Sequence, residues 1–133
     1  MSEKDTQRLI VDWLNLQHHA VWLNEIPIGL PSASSSTGRR RPANRGTADI
    51  CGTLKGGRAL YIEVKDPKYK PMINMLWKAL LQGDYSKYTI FRCGNSVMTE
   101  RVKQQAEFLL WQRKTGAVAM FAFCLEDVQR ELK

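Results

Sequence analysis

The stretch GTADICGTLKGGRALYIEVK, residues 46–65, decides how this chain folds. It contains two strand-like runs, residues 47–54 and 58–65, joined across Lys55-Gly56-Gly57. A Gly-Gly turn between two apolar-rich runs is typical of a β-hairpin. Successive side chains of a strand point to opposite faces. The second run therefore divides into an apolar face and a polar face, with Leu60, Ile62 and Val64 against Tyr61, Glu63 and Lys65.

The sequence on either side of this hairpin predicts alternating helices and strands. Ser2 and Asp5 have the spacing of a capping box at the start of the first helix, and Thr99 and Gly116 are suited to the start and end of a later one. Apolar periodicity predicts helices over residues 2–20, 71–84, 99–114 and 125–132, and strands over 21–28, 87–93 and 117–123. This order indicates a single domain, residues 1–133, of the α/β class, with a mixed sheet flanked by helices.

Composition restricts the kind of protein this can be. The 133 residues are 44% hydrophobic, which supplies a core and excludes a disordered chain. The 20 Lys and Arg exceed the 13 Asp and Glu, so the net charge is +7, as is typical of proteins that meet a polyanion such as nucleic acid or an anionic membrane surface. The cysteines form no CxxC pair, no apolar run reaches the roughly 20 residues of a membrane span, and charged residues near Met1 argue against a signal peptide. We therefore expect an intracellular, cytoplasmic protein without a membrane segment.

A basic, turn-rich segment precedes the hairpin. Residues 31–46, PSASSSTGRRRPANRG, combine serine, proline and glycine with four arginines and have almost nothing to bury. The segment is predicted to be a flexible loop. Its guanidinium groups have the forked donor geometry that suits phosphate, which makes them candidate DNA contacts: Arg39, Arg40, Arg41 and Arg45.

Chemistry is indicated by Asp49, Glu63 and Lys65. The hairpin would bring Asp49 near Glu63, and Lys65 lies on the same face as Glu63. Two neighbouring carboxylates repel each other unless a cation lies between them, and Mg²⁺ is a suitable hard cation. A lysine beside such a site can orient water and neutralise phosphate charge. The same spacing is also compatible with a hairpin whose charged face is simply solvated.

Two further polar residues have alternative interpretations. Glu3 lies at the edge of the apolar arc of the first helix, where its carboxylate could face a metal site or could complement the helix dipole. Gln105 flanks the apolar stripe of the helix over 99–114, where it could reach a site at the sheet edge or lie in solvent. The residues alone do not decide between these alternatives.

The segments 46–50 and 57–65 resemble the core of the PD-(D/E)XK nucleases, and more narrowly the virus-type replication-repair nuclease (VRR-NUC) family. The similarity extends to the first helix, to residues 105–109 and to the closing strand and helix. Residues 66–98 are longer than the connection usual in that family, and Ala48 replaces the proline of the name motif. The resemblance implies a PD-(D/E)XK-like fold and a stand-alone nuclease of phage or bacterial type.

The resemblance also implies roles for individual residues. Asp49 and Glu63 would bind Mg²⁺, which Mn²⁺ could replace, with the backbone carbonyl of Val64 as a further ligand. Lys65 would position water, and Glu3 would add a carboxylate at or behind the metal. Gln105 would hold Lys65 or a metal-bound water. No nucleotide cofactor is implied.

The implied activity is DNA endonuclease cleavage. Related stand-alone nucleases resemble Holliday-junction resolvases, so we expect a homodimer acting on branched DNA, since symmetric cleavage of a four-way junction needs two active sites. The alternatives are a non-catalytic nucleic-acid-binding module on the same fold, a nuclease for flap or other DNA, and an RNA-directed or degradative enzyme. The intact set of Asp49, Glu63 and Lys65 favours the nuclease over the binding module.

Overall fold

The computed structural model describes residues 1–24, 48–83 and 96–132, and for residues 96–100 it describes the backbone only. In chain order the elements are α1 (Glu3–Leu16), β1 (Ala20–Leu23), β2 (Ile50–Thr53), β3 (Ala59–Val64), a 3-10 turn (Pro67–Tyr69), α2 (Lys70–Leu81), α3 (Ser96–Lys114), β4 (Val118–Ala122) and α4 (Leu125–Glu131). The α/β class is confirmed.

The described strands form one mixed sheet in the order β1-β2-β3-β4. β1 and β3 each pair with β2 in the antiparallel direction, and β4 pairs with β3 in the parallel direction. The hairpin predicted from the Gly-Gly turn is β2 and β3, with Ile50 opposite Ile62. Gly56 and Gly57 both have positive φ, at 105° and 104°, a conformation that favours glycine.

Two apolar clusters occupy the two faces of the sheet. On one face, α1 and α4 cover the apolar side of β3, with Ile10, Leu14 and Val128 fully buried. On the other face, α2 and α3 cover the opposite sides of β3 and β4, and Ile73 and Ala106 are fully buried there. Glu63 and Lys65 point to this second face, because they alternate with the apolar residues of β3.

Several predicted boundaries need correction. The first helix ends at Leu16, because His18 adopts a left-handed conformation (φ 69°) and β1 begins at Ala20. The helix predicted from Thr99 begins three residues earlier, at Ser96, so Thr99 is not its N-cap.

Other local predictions are confirmed. The Ser2–Asp5 capping box is present. Gly116 (φ 97°) ends α3. Its N–H donates to the Arg113 carbonyl and the Ala117 N–H donates to the Gln112 carbonyl, which is the hydrogen-bond pattern of a Schellman motif.

Some predictions fall outside the described residues. These are the rest of the strand over 21–28, the arginine-rich loop over 31–46 and the strand over 87–93. In the part of the chain that is described, no helix combines the length and apolarity that a membrane crossing requires.

Gly52 allows β1 to lie close against β2. A Cβ at this position would overlap the carbonyl oxygen of Ala20 and would lie 2.7 Å from the Cα of Val21. Both obstacles are backbone atoms, so the strands would have to separate. We therefore expect Gly52→Ala to lower the unfolding free energy by about 3 kcal/mol and the melting temperature by about 10 °C. Thr53→Ala, at the exposed neighbouring position, is the control; equal melting temperatures for the two variants would contradict this packing role.

Candidate active site

The backbone pairing of β2 with β3 stops at Ile50. At the preceding residue, Asp49, side-chain carboxyl groups accept the hydrogen bonds instead of backbone carbonyls. The Val64 N–H donates to Oδ2 of Asp49 at 2.9 Å. In return, the Asp49 N–H donates to Oε2 of Glu63 at 3.1 Å. This reciprocal pair of hydrogen bonds brings the Asp49 and Glu63 carboxyl groups together.

The chain before β2 is turned so that this exchange can occur. Continuing the hairpin register by two residues would place Ala48 opposite Val64, but the Ala48 carbonyl is used elsewhere. It accepts from Nδ2 of Asn24 at 3.2 Å and from the Cys51 thiol at 3.7 Å. The Asn24 N–H also donates to the Asp49 carbonyl at 2.7 Å. Because the Ala48 carbonyl is engaged in these contacts, the Val64 N–H donates to the Asp49 carboxylate instead.

Glu63 is the centre of a buried polar cluster. Only 2% of its surface is exposed, and Lys65 is 7% exposed. Oε1 of Glu63 accepts from Nε2 of Gln105 at 2.7 Å and lies 3.6 Å from Nζ of Lys65. The structure therefore brings together four of the predicted site residues: Asp49, Glu63, Lys65 and Gln105. We call them the acidic cluster.

Aromatic packing holds Gln105 above Glu63. Tyr61 and Glu63 are two residues apart and share a face of β3, while Gln105 and Phe108 are three apart on α3. The rings of Tyr61 and Phe108 meet edge to face with centroids 5.4 Å apart. The Tyr61–Phe108 contact, which packs α3 against β3, therefore also places the Gln105 amide next to the Glu63 carboxyl group.

The surroundings of Glu63 favour the protonated form of its carboxyl group more than water does. Burial is the main reason that the pKa of Glu63 is raised well above its usual range, and the nearby Asp49 charge raises it further. A side-chain hydrogen bond with Asp49 acts in the same direction, whereas the Lys65 ammonium lowers the pKa. The single positive charge of Lys65 therefore does not offset the effects of burial and of the Asp49 charge on Glu63.

The amide of Gln105 has an unused acceptor. Within the described part of the chain, Oε1 of Gln105 is buried and has no hydrogen-bond partner. A buried amide oxygen without a partner costs about 1–3 kcal/mol, so a donor at this position, such as an ammonium group or a water molecule, would stabilise the cluster.

The donor set fits a hard divalent cation. The Asp49 and Glu63 carboxylates and the Val64 carbonyl are oxygen donors of the kind that Mg²⁺ prefers, and a cation there would offset the repulsion that raises the Glu63 pKa. Among the described residues, no group of three or more His, Cys, Asp or Glu side chains could hold a metal ion. A cation would therefore depend on two carboxylates, the carbonyl and water.

Glu3 contacts Asp66, the residue that follows Lys65 of the acidic cluster. Its side chain reaches the end of β3, where Oε1 accepts from the Asp66 N–H at 2.9 Å. The residue is exposed. Its participation at a metal stays a prediction, as do the DNA contacts of Arg39, Arg40, Arg41 and Arg45, which lie outside the described residues.

Cys51 and Asn24 were not predicted to belong to this site. Burial, with the Glu63 and Asp49 charges as lesser causes, raises the pKa of the Cys51 thiol to about 11, so the thiol is protonated and unreactive at neutral pH. The position of Cys51, two residues after Asp49, is the signal that could have placed it on the same face. Nothing in the sequence distinguishes Asn24 as the residue that turns the chain.

Fold and site together define a mixed α/β domain that carries a buried glutamate, a half-buried aspartate, a lysine and a glutamine on one face of its sheet. No protein-family model, no curated protein and no solved structure matches this chain. A proposal for its function therefore depends on the chemistry of the acidic cluster and on the resemblance of its motifs.

Proposed function

We propose that this protein is a metal-dependent DNA endonuclease with a PD-(D/E)XK nuclease-like fold, related to the VRR-NUC family. The observation that carries the proposal is the burial of Glu63 in contact with Asp49, Gln105 and Lys65. Solvated charges on a hairpin would not be buried or shielded by a helix. Burying ionisable groups costs several kcal/mol per ion, so a stable fold has no need of this arrangement.

Each member of the acidic cluster has a chemical role in this proposal. Asp49, Glu63 and the Val64 carbonyl would hold Mg²⁺, or Mn²⁺ in its place. When bound, the metal ion lowers the pKa of water and neutralises charge on the phosphate. Lys65 would orient the attacking water and stabilise the negative charge that develops on the phosphodiester.

Gln105 is a positioning residue. Its Nε2 fixes one oxygen of Glu63, and its unpartnered Oε1 could accept a hydrogen bond from Lys65 or from water. Because α3 carries it rigidly over β3, it would limit the carboxyl group to one orientation. The expected role is alignment rather than direct contact with the scissile phosphate.

The proposed substrate is branched DNA such as a four-way junction, cleaved by a homodimer. The +7 net charge suits a polyanion, and two subunits would supply the two active sites that symmetric cleavage requires. Cleavage would leave a 5′-phosphate, with the 3′-oxygen as the leaving group. Flap and other DNAs are the alternative substrates.

Cleavage of a synthetic four-way junction tests the function. Wild-type protein should cut the junction with Mg²⁺ or Mn²⁺ and not with EDTA, whereas Glu63→Ala should bind the junction and leave it uncut. Linear duplex, flap and splayed DNAs of the same sequence identify the preferred structure. If wild type and Glu63→Ala behave alike under every condition, the proposed catalytic role is wrong. Binding of the junction by both proteins without cleavage would favour a non-catalytic nucleic-acid-binding module.

The arginine-rich segment, residues 31–46, has a separate expected effect on binding. Each phosphate neutralised by an arginine contributes about 0.9 to the slope of log affinity against log salt concentration. Replacing Arg39, Arg40 and Arg41 with alanine should therefore lower that slope by up to about 3. Titrations of fluorescent duplex DNA at several salt concentrations measure the slope, and a slope unchanged from wild type would refute a phosphate-contacting role.

A further inference from the structure

A cleft runs along the outer edge of β4 in the described part of the structure. Its volume is about 160 Å³ and it is bounded by α2, the end of α3 and α4. The residues that matter for a ligand there are Asn74, Trp77, Arg113, Phe123, Asp127 and Arg130. None of them belongs to the acidic cluster.

Aromatic side chains give the cleft an apolar wall of fixed geometry. The indole of Trp77 is half-buried and packs edge to face on Phe121, with ring centroids 5.6 Å apart. The Arg113 guanidinium lies 5.9 Å from the Trp77 ring centroid. A cavity of about 150 Å³ accommodates one benzene ring, so this cleft has room for a single flat ring.

Among the described residues, those at the mouth of the cleft carry more positive than negative charge. The buried Asp127 accepts from the Phe123 N–H through Oδ2 at 2.8 Å. Its other oxygen lies 3.3 Å from Arg130 and 3.8 Å from Lys70, so one carboxylate faces two cations. The Arg130 side chain is 71% exposed and that of Lys70 45% exposed.

The Arg113–Glu131 pair, 3.9 Å apart, is neutral as a pair. The surplus cation favours an anionic ligand.

The cleft lies one strand away from the acidic cluster. The Lys65 N–H donates to the Ala122 carbonyl at 3.0 Å, and Glu63 is paired with Phe121 in the parallel register. Phe123 therefore follows beside Lys65 on the same face, about 4.8 Å across the sheet. A nucleic-acid strand at Lys65 would pass the mouth of the cleft.

We propose that this cleft binds one unpaired nucleotide of the DNA substrate. Its base would pack against Trp77 with its polar edge toward the Asn74 amide, and its phosphate would lie between Lys70 and Arg130. A base within a duplex is stacked on both sides and cannot enter without leaving the helix. The cleft would therefore favour DNA that has unpaired nucleotides beside the cleavage position, which deepens the proposed nuclease function and rests on it.

Binding without metal tests the cleft separately from catalysis. Fluorescence anisotropy in EDTA would compare a fully paired 20-base-pair duplex with the same duplex carrying a three-nucleotide single-stranded extension. Stacking of a base on an aromatic side chain contributes about fivefold or more to affinity, so wild type should bind the extended duplex at least about fivefold more tightly. Trp77→Ala and Arg130→Ala should abolish this preference, and Trp77→Phe should retain most of it.

The control is Lys78→Ala, which removes an exposed charge from the same helix outside the cleft. It should lower both affinities equally and keep the preference. If circular dichroism shows that Trp77→Ala does not fold, the variants Arg130→Ala and Asn74→Ala replace it in the test, because both residues are exposed. A preference that survives both, or that wild type lacks, overturns the proposal. A preference seen in EDTA without any Mg²⁺-dependent cleavage overturns the nuclease function instead.

Discussion

Lys65→Met should reduce the rate of metal-dependent DNA cleavage by about 10³-fold. The Lys65 ammonium is buried beside Glu63, with Nζ 3.6 Å from Oε1, where a low local dielectric strengthens its action on a nearby phosphate and water. Methionine keeps the length and apolar volume of the side chain and removes the charge. Single-turnover cleavage of a labelled four-way junction at saturating protein measures the effect on the chemical step.

The matched control is Lys55→Met, at the exposed hairpin turn of the same two strands. Both variants lose one positive charge, so both should lose similar DNA affinity through the long-range field of the protein. Only Lys65→Met should lose the cleavage rate. Equal single-turnover rates for the two variants would mean that Lys65 takes no part in the reaction.

The part of the site on the hairpin could be predicted from the sequence because short-range rules determine it. A Gly-Gly turn fixes which residues of two strands face each other, and the two-residue period fixes their faces. Those two rules bring Asp49 near Glu63 and place Lys65 beside Glu63. The exchange of hydrogen bonds between Asp49, Glu63 and Val64 could not be predicted, since it depends on Asn24, which is distant in sequence.

Gln105 shows where helical periodicity stops being informative. Its position beside an apolar stripe is compatible with a site and with solvent, because periodicity gives the orientation of a residue around the helix axis and not what lies opposite it. The edge-to-face contact of Tyr61 with Phe108 settles the placement of α3 on β3. Only the three-dimensional packing therefore places Gln105 over Glu63.

Glu3 shows the same limit at a helix end. The buried residues of α1 include Ile10 and Leu14, and Glu3 is seven and eleven residues before them, on the same side of the helix. Helical periodicity therefore places Glu3 on the packed side of α1. It does not show which group the Glu3 carboxylate meets, which in the structure is the Asp66 N–H, with Glu3 itself exposed.

Glu63→Gln should stabilise the protein at pH 8 and have much less effect at pH 4. In the native state the pKa of Glu63 is raised above its unfolded value near 4.5. Below that value both states are protonated, and between it and the native pKa the native state binds more protons than the unfolded state. The unfolding free energy of wild type therefore falls as pH rises through this window, and above the native pKa the loss is complete. Each tenfold increase in proton affinity corresponds to about 1.4 kcal/mol.

Glutamine stays neutral at every pH, so the variant lacks this loss. Urea unfolding of both proteins from pH 4 to pH 8 isolates the Glu63 contribution, because the other carboxyl groups titrate in both. Added Mg²⁺ should raise the melting temperature of wild type at pH 8, since a cation beside Asp49 and Glu63 favours two ionised carboxylates and a ligand that binds the native state stabilises it. Mg²⁺ should raise the melting temperature of the Glu63→Gln variant much less. A stability difference that does not change with pH would show that folding leaves the pKa of Glu63 near its unfolded value, and equal shifts of the two melting temperatures with Mg²⁺ would place the cation elsewhere.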